Sequence, residues 1–148
     1  MMPLPFSIAW IGAAIAIAQI AILAWHLRRR YPSLPKRMPT GLRFDGRPGP
    51  TGPKALLWLG PAIIATVTAI LVVFLLARPL PEEARLTTFL VFVVIAEVAW
   101  LCEWVTDRLV ELARGMTHRI APTRLLLAIL PMLATIGIAL VVAITQTL

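Results

Sequence analysis

The sequence predicts an all-α fold, an integral membrane bundle of four transmembrane helices, and three observations predict it. Of 148 residues, 59% are hydrophobic and 14% are charged, where a soluble domain carries roughly 45–50% and 25%. Mean hydropathy is +0.87. A soluble fold of this length leaves too much surface exposed to hide that much apolar side chain, and the same numbers exclude disorder over most of the chain. The apolar residues gather into four runs, each near the roughly 20 residues that a spanning helix needs. The alternation of a membrane barrel is absent.

The first run, 6–27, is apolar apart from Ser7, Gln19 and His26. It reads as a retained helix and not as a cleaved leader. No Lys or Arg precedes it, and it is longer than a typical leader core. The second run, 55–77, carries no charge, and Gly60-Pro61 invites a kink. The third, 86–105, holds Glu97 inside and Glu103 near its end. The fourth, 125–144, is uncharged and contains Pro131. In lipid each backbone N–H and C=O needs an internal partner, and a helix supplies one. Residues 1–148 therefore read as one membrane domain.

Basic residues orient the bundle. The first connection holds Arg28, Arg29, Arg30, Lys36, Arg37, Arg43, Arg47 and Lys54; the third holds Arg108, Arg114, Arg119 and Arg124. The second holds only Arg78 and Arg85. With four spans the first and third connections share a side, and the positive-inside rule makes that side cytoplasmic, with both termini outside. Trp25, Tyr31, Trp58 and Trp104 fall near that boundary, the depth that amphipathic rings prefer. The net charge of +7 thus reads as orientation and contact with anionic lipid head groups at 28–54. No recognition module accompanies it that would point to nucleic acid.

The first connection contains six prolines and four glycines, a composition that by itself describes a flexible or polyproline-like linker. Its order says more. Tyr31-Pro32-Ser33-Leu34-Pro35 is followed by Met38-Pro39-Thr40, then Gly46-Arg47-Pro48, then Lys54 just before the second run. This stretch, with its flanking helices, resembles the bacterial membrane family called domain of unknown function 1648. That family has a Tyr-Pro-x-Leu-Pro-x-x-Ile-Pro start, a Gly-x-Pro centre and a closing Lys. The chain has Gly41-Leu42 where members often carry an aromatic or His-aromatic pair, and Gly49 where they often carry Asp. The resemblance implies a bacterial inner (plasma) membrane protein, related to the amino-terminal part of bacteriocin-immunity and signal-transducing membrane proteins. It gives Tyr31, Pro32, Leu34, Pro35, Met38, Pro39, Gly46, Pro48 and Lys54 as the motif. Members are often drawn with this loop outside the cell; the charge count here places it inside. A structured loop would pack Tyr31, Leu34 and Met38 onto the helix ends.

Few polar groups lie inside the spans. A charged Glu97 near mid-span costs a few kcal/mol. It reads either as a proton or cation site, or as a protonated side chain hydrogen-bonded to a neighbouring helix, with Gln19 at similar depth as partner. Glu103, Asp107 and Glu111 recur every four residues on a helical extension that ends near Gly115. Arg108 and Arg114 lie within reach of Glu111, and the stripe reads either as a site for a cation or basic partner or as a solvated face that pairs with the first-loop arginines. His26 and His118 have no second histidine beside them and make poor metal sites. One cysteine, Cys102, forms neither an internal disulfide nor a metal cluster alone. Gly12 with Ala16, and Ala14 with Ala18, have the spacing for close helix approach, within the chain or between two copies.

No catalytic set, nucleotide loop or cofactor motif appears. The sequence therefore reads as a non-enzymatic membrane protein, an interaction, immunity-like or regulatory module. Loop 31–54 would be its recognition surface and a membrane protein or a second copy its partner. The alternative is a small transporter or accessory subunit of a larger membrane complex, centred on Glu97.

Overall fold

The computed structural model describes residues 8–43, 45–78 and 80–147 and is 78% helical. The start of the first expected span, Phe6 and Ser7, lies outside the described residues. Four long helices follow in order: α1 Ile8–Arg30, α2 Leu59–Ala77, α3 Glu82–Ala113 and α4 Pro122–Thr147. All four are long and apolar enough to cross a membrane, and the chain is a multi-pass membrane protein.

Local chemistry sets the helix ends. Pro32 disfavours helical geometry at the residue before it, so α1 gives way to one 3₁₀ turn, Tyr31–Ser33. A second 3₁₀ segment, Lys54–Trp58, leads into α2. Gly60-Pro61 therefore falls in the first turn of α2, where a missing N–H has no intrahelical partner to lose. The pair marks a helix entry and not a kink. After α3 the chain turns at Gly115, φ +69°, as expected for its charged extension. Pro122 opens α4, and the helix runs on through Pro131.

α1 and α3 form the main pair and run parallel. Gly12 meets Phe89 and Phe92, and further along Arg30 meets Asp107. Without a hydrophobic force between helices in lipid, small residues that permit close approach decide the seam. Gly12, Ala13 and Ala16 are buried there against Phe92 and Ala96. Ala14 and Ala18, the other small pair, are exposed and take no part. Leu23, Ile64 and Ala99 continue the core between α1, α2 and α3.

α4 is peripheral and packs chiefly on α3. Leu126, Leu127, Leu130, Leu133, Ile138 and Leu140 are all exposed, as lipid-facing side chains are. Polar stitches hold this helix. Thr87 Oγ1 donates to Gln146 Oε1 at 2.8 Å, and Thr135 Oγ1 donates to Glu97 Oε1 at 2.8 Å.

The first connection is not a flexible linker; between its two 3₁₀ segments it folds into a hairpin. It contains two three-residue antiparallel strands, β1 Arg37–Pro39 and β2 Thr51–Pro53, with Met38 opposite Gly52. Beyond them Thr40 N donates to Pro50 O, Gly49 N to Gly41 O and Arg43 N to Arg47 O, so the hairpin ladder extends to the Arg43–Arg47 pair. The prolines sit where the ladder needs no N–H from them; Pro50 contributes its carbonyl alone.

Candidate functional site

The hairpin and the α3–α4 connection meet at one end of the bundle. Ile120 N donates to Gly46 O at 2.9 Å, and Arg119 Nε donates to Asp45 O at 2.9 Å. The two Arg/Lys-rich connections therefore lie on the same side, as four spans require.

Each motif residue has a place in building this cap. Leu34 and Met38 are buried with Leu27, Leu57, Leu109 and Val110, so the hairpin is seated on the ends of α1 and α3. Pro32 lies in the 3₁₀ turn, with Leu34 and Pro35 carrying the chain from it toward β1. Pro39 closes β1, and Pro48 pairs with Leu42 across the hairpin. Lys54 Nζ donates to Tyr31 O at 3.0 Å and lies 4.4 Å from the centroid of the Tyr31 ring. Trp58 packs tilted on that ring at 6.3 Å. The expectation that Tyr31, Leu34 and Met38 pack on the helix ends matches this arrangement.

Gly46 has φ +76°, and a Cβ there would stand 1.8 Å from Ile120 O. Only glycine fits, both for the left-handed backbone and for the closeness of the contact. Leu34, Met38 and Gly46 of the motif thus turn inward, while Pro32, Pro35 and Pro48 stay exposed. Lys36, Arg37, Arg43 and Arg47 are exposed on the outside of the same hairpin.

A polar seam continues from the cap between α1 and α3. Arg30 pairs with Asp107, and Arg114 Nη2 donates to Ser33 Oγ at 3.1 Å. Deeper in, Glu103 accepts from His26 Nδ1 on one side and from Gln19 Nε2, at 3.1 Å, on the other. On the opposite flank of α3, Arg108 Nη1 binds both oxygens of Glu111, at 2.6 and 2.8 Å. The acidic stripe at 103, 107 and 111 is therefore paired, two members with α1 and one within α3. Arg114, expected near Glu111, goes to Ser33 instead.

Gln19 was the expected partner of Glu97, and here the structure corrects the sequence. Glu97 and Glu103 are six residues apart, which at about 100° per residue separates them by roughly 120° around α3. Glu103 faces α1 and takes Gln19; Glu97 faces α4 and takes Thr135. Glu97 Oε2 is buried without a partner among the described residues. Thr135 Oγ1 also lies 3.2 Å from Pro131 O. A hydroxyl has one proton, so Thr135 serves Glu97 or Pro131 but not both. A protonated Glu97 would donate to Thr135 and release the threonine proton to Pro131 O.

Among the described residues no three His, Cys, Asp or Glu side chains gather as a metal ion would need. Comparison with family models, with curated proteins and with solved structures returns no match.

Proposed function

We propose that the protein is a non-catalytic membrane module whose hairpin cap presents a basic surface to an acidic partner, in the manner implied by its resemblance to domain of unknown function 1648. The observation that carries this reading is the division of labour in residues 31–54. Leu34 and Met38 seat the hairpin on the helix ends, while Lys36, Arg37, Arg43 and Arg47 stand outside on that frame. A charged surface held on a rigid frame recognises a partner with less ordering cost than a loose tail. The partner is an acidic face of another membrane protein, an immunity-like or regulatory pairing in the inner membrane.

A photo-crosslinking residue at Arg43 tests this in native membranes. A discrete adduct is expected that disappears when Arg37 and Arg47 are changed to Glu. Crosslinks to lipid alone overturn the reading.

Cytoplasmic placement of the cap is part of the proposal and rests on the charge asymmetry. A periplasm-active reporter fused after Leu148 should be active, and one inserted at Arg43 should be silent. The opposite pattern reverses the orientation.

The orphaned Glu97 oxygen supports a second reading, a small transporter or accessory subunit that moves a proton. An intramembrane acid with an unmet polar atom marks such paths. Proton flux into proteoliposomes should then vanish in Glu97→Gln while the thermal midpoint stays put. A glutamine still accepts from Thr135, and bonds of this kind average only about 0.6 kcal/mol. Absence of flux in the wild type leaves Glu97 as a fastener of α4 and rejects the transport reading.

A further inference from the structure

The groove between α3 and α4 at the basic end is amphipathic in a specific order. It encloses about 270 Å³ and is lined by Trp100, Trp104, Arg108, Arg124, Leu127 and Ala128. Arg124 lies in the first turn of α4, exposed, its guanidinium without a partner among the described residues. Arg108 comes from α3, lies 5.7 Å from the centroid of the Trp104 ring, and is held in place by Glu111. Two guanidinium groups against one carboxylate leave the mouth of the groove net positive. Leu127 and Ala128, one turn further along α4, and Trp100 continue the wall into the apolar zone, and Trp100 and Leu127 remain exposed.

We infer that this groove is a binding site for one anionic glycerophospholipid of the leaflet at the basic end. The phosphodiester would bridge Arg124 and Arg108, the glycerol region would lie along Trp104 and Trp100, and an acyl chain would follow Leu127. Arginine forks match phosphate oxygens, and tryptophan prefers the level of the glycerol backbone. A zwitterionic lipid brings a second cation to a mouth that already has a net positive charge, so its headgroup is disfavoured. The site is separate from the hairpin surface, because none of its lining residues lies in 31–54. Ala128 is the only buried residue of α4 among the described residues, so a lipid in this groove supplies packing to a thinly covered helix. This inference does not depend on the proposed partner of the hairpin.

Native mass spectrometry of the full chain released from mixed phosphatidylglycerol and phosphatidylcholine nanodiscs tests it. One phosphatidylglycerol should be retained per chain, preferred over phosphatidylcholine by about fivefold, as one net cation near a membrane surface confers. The preference should fall to parity in Arg124→Gln, an exposed side chain whose loss leaves the fold intact, and in Arg108→Gln if its thermal midpoint holds. It should persist in the hairpin variant Arg43→Gln/Arg47→Gln. Equal retention of both lipids by the wild type overturns the site. So does a preference that survives Arg124→Gln. Displacement of the lipid by millimolar inorganic phosphate would show that the groove takes the free anion, and overturns the lipid assignment.

Discussion

Replacing Gly12 by leucine lowers the unfolding midpoint in detergent by about 10 °C, the equivalent of about 3 kcal/mol for a chain of this size. Even a Cβ at this position would lie 3.0 Å from the Phe89 ring and 3.1 Å from both Phe89 O and Phe92 Cβ. Two of these three neighbours are a backbone oxygen and a Cβ, neither of which can rotate away. The remaining atoms of leucine force α1 off α3, and with it the contacts of Ala13 and Ala16 to Phe92. Gly137 supplies the control. It lies on exposed α4 with nothing within 4 Å of a built Cβ, so Gly137→Leu should stay within about 0.5 kcal/mol of wild type. Equal midpoints for the two variants would show that the α1–α3 seam does not carry the fold.

The second large effect is local. Gly46→Ala places a methyl group against Ile120 O and asks alanine to hold φ +76°. The left-handed backbone costs about 1–2 kcal/mol, and the contact adds the loss of the Ile120 N–H to Gly46 O bond, about 1 kcal/mol. The tip should leave its seat while the helices persist. Cleavage by trypsin after Arg43 is then expected to accelerate about 30- to 150-fold, the factor that 2–3 kcal/mol of easier opening produces. Gly115 also has positive φ, +69°, but no atom lies within 4 Å of its built Cβ. Gly115→Ala should therefore leave cleavage at Arg43 unchanged. If Gly46→Ala behaves like Gly115→Ala, the hairpin is not docked through its tip.

Elements governed by run length were readable in the sequence. Four spans, the charged continuation of the third and the shared side of the two basic connections needed only counting. That the acidic stripe pairs with first-loop arginines was expected in general; that the pair is Arg30 with Asp107 came from the structure. What escaped was azimuth. Residue count put Gln19 and Glu97 at one depth correctly, yet depth leaves rotation about α3 undetermined, and the two side chains face different neighbours. The hairpin escaped for another reason. Its strands are three residues each, and both end in proline, so no period-two pattern had room to develop. The signal that was present lay in Gly46, a glycine between Asp45 and Arg47 at the centre of the motif, where a left-handed turn is easy to suspect and its contact with Ile120 is not.

The parallel pairing of α1 with α3 sets an order of events during synthesis. When α1 enters the bilayer, its main neighbour has not been made; α2 and the connection after it must follow first. Until α3 arrives, Gln19 and His26 face lipid or headgroups without Glu103, and the Gly12 face lies bare. Leu34 and Met38 likewise have no Leu109 and Val110 to settle on. The hairpin, early in the chain, is thus among the last parts to close, and its docking onto Ile120 waits until the α3–α4 connection has left the ribosome. A seated cap is consequently a report that three helices have been inserted and matched. A quality-control protease that reads exposed loops would find 36–47 open in every incomplete chain and closed in every finished one.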